Sequence, residues 1–371
     1  MRLLAVMAIV LVGLTSCGTT SAPSEAPPSM AHVLPVPSAA ASDVYAHDRP
    51  GLLSPVVAHY PARVYVPNSQ ADTLDVIDPA TYKVIKTYRV GRRPQHVVPS
   101  WDLRTLWVNN NDGNMLTPVD PVTGKPGKPV RVVDPYNLYF SPDGSYALVM
   151  AERLNRLDFR DPHTMRLDHS LKLPCRGVNH GDFTADGGVF LVSCEFSGRL
   201  LAIDWRAAKV LKIIDVGAAN MPQDVKLSPD GTLFYCADMA AGGLWLVDAR
   251  TFAKVGFVRT GKGAHGLYVS RDSRVLYVSN RGEGSVSVVS FATRRKIAKW
   301  RLPGGGSPDM GGVSADGRQL WLSGRYNGVV YVISTSTGKL IRKVKVGAGP
   351  HGLCVYPQPG RYSLGHTGVF R

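Results

Sequence analysis

The sequence predicts an all-β chain: a seven-bladed β-propeller of four-stranded antiparallel blades, closed by strands from both termini. Three observations predict it. Short apolar runs rich in Val, Leu and Tyr, bounded by Gly, Asp, Ser or Asn, read as strands between tight turns. Leu267 to Ser270, Val275 to Ser279 and Ser285 to Val289, with a fourth run from Lys296 to Leu302, make one such unit. The unit recurs, because Tyr65, Trp107, Leu148, Leu191, Tyr235, Tyr277 and Trp321 hold equivalent places at spacings of 42, 41, 43, 44, 42 and 44 residues. A period of about 40–45 residues with four strands per unit marks propeller blades. The turns recur too, as SPDG at 141–144 and 228–231, TADG at 184–187, SRDS at 270–273 and SADG at 314–317. Asp-Gly supplies the positive φ that a two-residue hairpin turn needs, so tight two-residue hairpins are expected there.

Taken from the start, Arg2 precedes an apolar or small run from Leu3 to Leu14, too short for a mature membrane span but suited to a secretion signal. Leu14-Thr15-Ser16-Cys17 resembles the bacterial lipobox. That resemblance implies cleavage before Cys17, acylation of its thiol, and an extracytoplasmic lipoprotein held on the cell envelope through its lipid. Residues 1–16 are thus expected as signal peptide. Residues 17–60, with Pro23, Pro27, Pro28, Pro35, Pro37, Pro50 and Pro55 among Ala and Ser, lack any periodic apolar pattern and are expected as a tether. Residues 61–371 form the propeller. From Arg63 to Val90 the chain supplies three strands of a blade whose innermost strand comes from His351 to Pro357, so the ring closes and no open edge is left. Arg361 to Arg371 fall outside the repeat, as a surplus strand or cap without an assigned place.

YVSN at 277–280, YVPN at 65–68, AHG at 264–266, PHG at 350–352 and the SPDG turns resemble the YVTN-type β-propeller repeat family over roughly residues 60–360. That family is related in architecture to the d-type haem domain of bacterial nitrite reductases. The resemblance implies the fold and no particular activity, because propellers host unrelated chemistries.

The formal charge of +15 gathers on the outermost strands, for example Arg294, Arg295, Lys296, Lys299 and Arg301. Lysine and arginine on an exposed edge block sheet-to-sheet association. The same rim would attract an anionic polymer or lipid headgroups. Specific nucleic-acid binding is not expected outside the cell, a protein or anionic polymer partner is, and the chain is expected as a monomer. The sequence has no C-x-x-C-H, P-loop, G-x-S-x-G or H-E-x-x-H motif. Cys175 and Cys194 should emerge at one face, and an oxidising compartment favours a disulfide between them. Cys236 and Cys354 fall within strands and are expected as buried apolar residues.

Chemistry is expected where the inner strands begin. Gln95, Tyr136, Asn179, Gln223, His265, Asp309 and His351 stand five residues before each turn serine or its equivalent, with His96, Asn137, His180 and Asp224 one place on. In a propeller these positions crowd the channel mouth, making His96, Asn179, His180, His265, Asp309 and His351 candidate ligand-binding residues. His265, Asp309 and His351 could bind a divalent metal, with occupancy falling below the histidine pKa of about 6.5. The competing reading gives these histidines only hydrogen bonds between blades. A lipid-anchored binding or scaffold protein is therefore expected. The alternative is a redox or hydrolytic enzyme with a metal or haem-like cofactor at the mouth; the sequence assigns neither a cofactor nor a catalytic residue.

Overall fold

The computed structural model describes residues 43–371. The expected signal peptide, the lipobox and Cys17 lie outside the described residues. The chain folds into seven antiparallel sheets around one channel. Blade I takes its innermost strand, Cys354–Tyr356, from the far end of the chain, and its other three are Arg63–Asn68, Thr73–Asp78 and Lys83–Arg89. Closure runs through Arg63 opposite Tyr356, Val64 opposite Val355 and Tyr65 opposite Cys354. Blades II to VII begin with innermost strands Pro94–Pro99, Pro135–Phe140, Val178–Phe183, Pro222–Leu227, Ala264–Val269 and Pro308–Val313. Each then steps outward strand by strand.

The blades are held together by apolar wedges between neighbours. Leu191, Val225 and Phe234 fill the space between blades IV and V, for instance, and Leu276, Ala237 and Leu267 that between V and VI. Burying a leucine, valine or phenylalanine side chain contributes about 1.5–3 kcal/mol. The outermost strands have little left to cover them, so Lys83–Arg89 and Arg295–Arg301 are largely exposed and carry their charge in water. Among the described residues no helix is long and apolar enough to cross a membrane.

The SPDG-type turns differ from the two-residue hairpins expected. Ser141 N bonds to Tyr146 O, so the loop spans four residues, and only Gly144 adopts a positive φ, 72°. The Asp143 carboxylate accepts hydrogen bonds from Ser141 Oγ and Ser145 N, while Ser141 Oγ accepts one from Tyr146 N. Aspartate here folds the backbone through its side chain.

Both ends of the described chain pack across the face formed by these turns. Residues 43–60, part of the stretch expected as a tether, lie against the ring. Tyr45 is buried and donates its hydroxyl to Leu227 O at 2.8 Å, Asp48 pairs with Arg271, and Val57 joins the wedge between blades I and II. The C-terminal residues form a hairpin, Ser363–Gly365 with Val369–Phe370, and Gly365 pairs with Tyr139 on the inner edge of blade III. This sheet therefore has six strands, two of them inside the channel. Leu364 and Phe370 are each 1 % exposed there.

Candidate functional site

Each innermost strand of blades II to VII starts with a slip in register. Pro94 faces Asn110 but Val97 faces Val108, and the same shift recurs at Pro222/Val225, Ala264/Leu267 and Pro308/Gly311. A bulge breaks the alternation of side chains between faces. Two successive positions per blade consequently reach the channel, and five of the ten histidines meet there: His96, His180, His265, His351 and, from the C-terminal hairpin, His366.

They form two adjoining clusters. In the first, His265 Nδ1 lies 3.2 Å from Asp309 Oδ1 and His351 Nε2 lies 3.5 Å from Asp309 Oδ2. Arg281 Nη1 also reaches Asp309 Oδ1, at 3.2 Å, and Met310 Sδ is 3.0 Å from His265 Nδ1. The three residues named in the sequence are thus brought together, but with a guanidinium against their carboxylate. In the second cluster, donor atoms of His96, His180 and His366 all lie within 4.8 Å of one another. Their ring centroids are 5.5 Å (His96–His180), 5.3 Å (His96–His366) and 4.7 Å (His180–His366) apart. Asn137 Nδ2 donates to His366 Nδ1 at 2.9 Å and to Asn179 O at 3.0 Å, while Asp224 Oδ1 stands 3.3 Å from His366 Nε2. Gly352 is needed beside this cluster because a Cβ there would strike the His96 ring.

Burial pushes all five imidazoles well below their usual pKa. They are neutral at pH 7 and each keeps a lone pair, so protonation competes for it only well below the pH of about 6.5 expected for free histidine. Neither ring nitrogen of His96 or of His180 has a hydrogen-bond partner, and His351 Nδ1 has none.

Sequence reasoning missed the layer above. The residue that follows the second strand of each blade, Ser69, Asn111, Glu152, Glu195, Met239, Arg281 and Arg325 in blade order, surrounds the mouth. Its charge is split, with two acids from blades III and IV and two arginines from blades VI and VII. Arg325 Nη1 donates to Ser69 Oγ at 3.0 Å, and Asn179 Nδ2 donates to Glu195 Oε2 at 3.0 Å. Burial, with the charges of Glu195 and Asp134 adding to it, pushes Glu152 up to about 8. The repeat register used to find the inner ring would have found these positions as well. His366 carried no such signal, because the hairpin lies outside the repeat.

Cys175 and Cys194 are joined as a disulfide beside blade IV, while Cys236 and Cys354 are buried free thiols. Asn179 belongs to the inner ring, where its Oδ1 accepts from Ser193 Oγ at 2.6 Å.

A family model described as YNCE-like beta-propeller matches residues 30–359. No curated protein sequence matches the chain. Among solved structures, Kuenenia stuttgartiensis hydrazine synthase aligns at 18 % identity and TM-score 0.63, over 77 % of this chain and 99 % of that one. A functionally unknown protein from Desulfotomaculum acetoxidans DSM 771 aligns at 14 % identity and TM-score 0.65, over 79 % and 98 %. The dihydro-heme d1 dehydrogenase NirN, solved in complex with DHE, aligns at 14 % identity and TM-score 0.59, over 82 % and 76 %. At these identities the likeness concerns the fold alone.

Proposed function

Because the chain belongs to the YNCE-like β-propeller family, whose fold leaves the chemistry to its sites, we propose that it is a binding protein holding a divalent transition-metal ion among the channel histidines. It does so on the outer side of a membrane, carried by lipid on Cys17. The observation supporting the metal is the set of buried ring nitrogens without hydrogen-bond partners on His96, His180, His366 and His351. Leaving such a group unpaired costs about 1–3 kcal/mol, and a histidine serving only to link blades would have its hydrogen bonds made. Neutral imidazoles suit Zn, Cu, Fe or Ni better than the oxygen-seeking Mg or Ca. A second reading, an enzyme acting at the same ion, draws on Glu152, which stays protonated at pH 7 at the mouth and so is suited to general acid work.

Two measurements test the reading. Protein extracted from membranes without chelator, then exposed to Zn, Cu and Fe salts and desalted, should carry bound metal; protein that remains metal-free contradicts the site. Cys17→Ala should move the chain out of the detergent-extracted fraction or leave it unprocessed. A processed variant that fractionates like the parent contradicts the anchor.

A further inference from the structure

We propose that the ion is held by three imidazoles, His96, His180 and His366, so that the C-terminal hairpin supplies one ligand and metal binding is coupled to its docking in the channel. This rests on the metal reading above and says which of the two clusters carries it. The Asp309 cluster is the poorer candidate because a guanidinium already sits on its carboxylate, although Asp309 Oδ2 has no hydrogen-bond partner. Asp309 Oδ1 holds Arg281 at 3.2 Å and His265 at 3.2 Å. A divalent cation placed there would meet a guanidinium at close range in a site shut off from water, where like charges repel strongly.

The three-histidine cluster has the opposite character. Its rings are fully buried, and five of its six ring nitrogens, both on His96, both on His180 and Nε2 of His366, have no hydrogen-bond partner. The carboxylate beside it, Asp224, accepts Val225 N and Leu267 N at 2.9 Å each and lies 3.3 Å from His366 Nε2. A carboxylate behind a ligating imidazole fixes the ring and raises its basicity; the ligating atom is then His366 Nδ1, where the ion would take the place of Asn137 Nδ2, now 2.9 Å away. The one ammonium nearby, Lys226, lies 3.8 Å from Asp224 and offsets part of that charge. Three nitrogens around a tetrahedral zinc at about 2.0–2.1 Å would stand roughly 3.4 Å apart. Donor atoms now within 4.8 Å reach that spacing by ring rotation and a small movement of the hairpin. Three protein ligands leave a fourth position open for water or an incoming ligand.

The test uses the full chain and three variants, His366→Gln, His96→Gln and His351→Gln, each loaded with Zn²⁺, desalted and analysed for metal. The wild type should hold one zinc per chain, His366→Gln and His96→Gln should weaken binding by more than about tenfold, and His351→Gln should retain it. Zinc should also raise the Tm of the wild type and leave that of His366→Gln unmoved. Cu²⁺ bound to the wild type provides a readout that needs no variant, since its electron paramagnetic resonance spectrum should show coupling to three imidazole nitrogens. Zinc retained by His366→Gln but lost from His351→Gln, or copper coupled to two nitrogens or fewer, overturns this assignment and leaves the metal reading standing. A wild type that binds neither ion removes both.

Discussion

Replacing Arg371 by Met should destabilise the whole propeller, although the residue lies outside every repeat. Its guanidinium donates to Asp182 Oδ1 at 2.8 Å and sits 4.6 Å above the ring of Tyr45, with side-chain exposures of 8 % for Arg371 and 1 % for Asp182. Methionine keeps much of the aliphatic stem and its packing, so the change isolates the charge. Removing one partner of a buried pair costs about 3–5 kcal/mol, because the other charge is left uncompensated. Asp182 keeps two backbone donors, Phe183 N at 2.8 Å and Leu227 N at 2.9 Å, which argues for the lower end of that range. With an unfolding entropy of about 2.1 cal/mol/K per residue over a domain of this length, about 3 kcal/mol corresponds to a Tm lower by roughly 4–5 °C. The assay is thermal unfolding at neutral pH for the wild type, Arg371→Met, Asp182→Asn and the double variant. The double variant should recover part of the loss, because no charge is then stranded. A Tm for Arg371→Met within about 1 °C of the wild type refutes the view that the hairpin is locked into the channel by this pair.

Two further outcomes follow from the same physics. Glu152 has its pKa raised to about 8, so its favourable contribution is fully present below the unfolded carboxylate value of about 4.3 and is lost as pH rises through 8. Glu152→Gln should therefore match the wild type in stability near pH 4 and exceed it by up to about 5 kcal/mol above pH 8; an equal difference at both pH values contradicts the assignment. Cys175 and Cys194 close a loop with a sequence separation of 19, for which chain entropy suggests about 3 kcal/mol. Non-reducing peptide mapping should recover the two linked, and mild reduction should lower the Tm, whereas free thiols in exported protein contradict the bond.

The ring was legible in the sequence because a propeller repeats its packing problem. Tyr65 and its six equivalents mark the second strand of each blade, and the paired positions Gln95 and His96 or Asn179 and His180 mark the start of each inner strand. What was not legible lies where the repeat is silent. Tyr45 and Val57 each fill a separate hollow on the turn face, so single apolar residues in a Pro-rich stretch left no periodicity to detect. His366 reaches the channel through a hairpin that belongs to no repeat and pairs with the edge of blade III. The aspartates of the SPDG turns were recognised as turn formers but given the wrong loop length, since Asp143 acts through its side chain rather than through a positive φ. Arg281, which sits against Asp309, stands one residue past a strand end, outside the apolar alternation that marks the strands.

The most direct test of the central claim is a crystal of the folded domain soaked in zinc and measured on both sides of the zinc absorption edge. One anomalous peak is expected on the channel axis, within bonding distance of His96, His180 and His366, about 2.0–2.1 Å from each nitrogen. A channel without an anomalous peak, with zinc found only on the exterior, would contradict it.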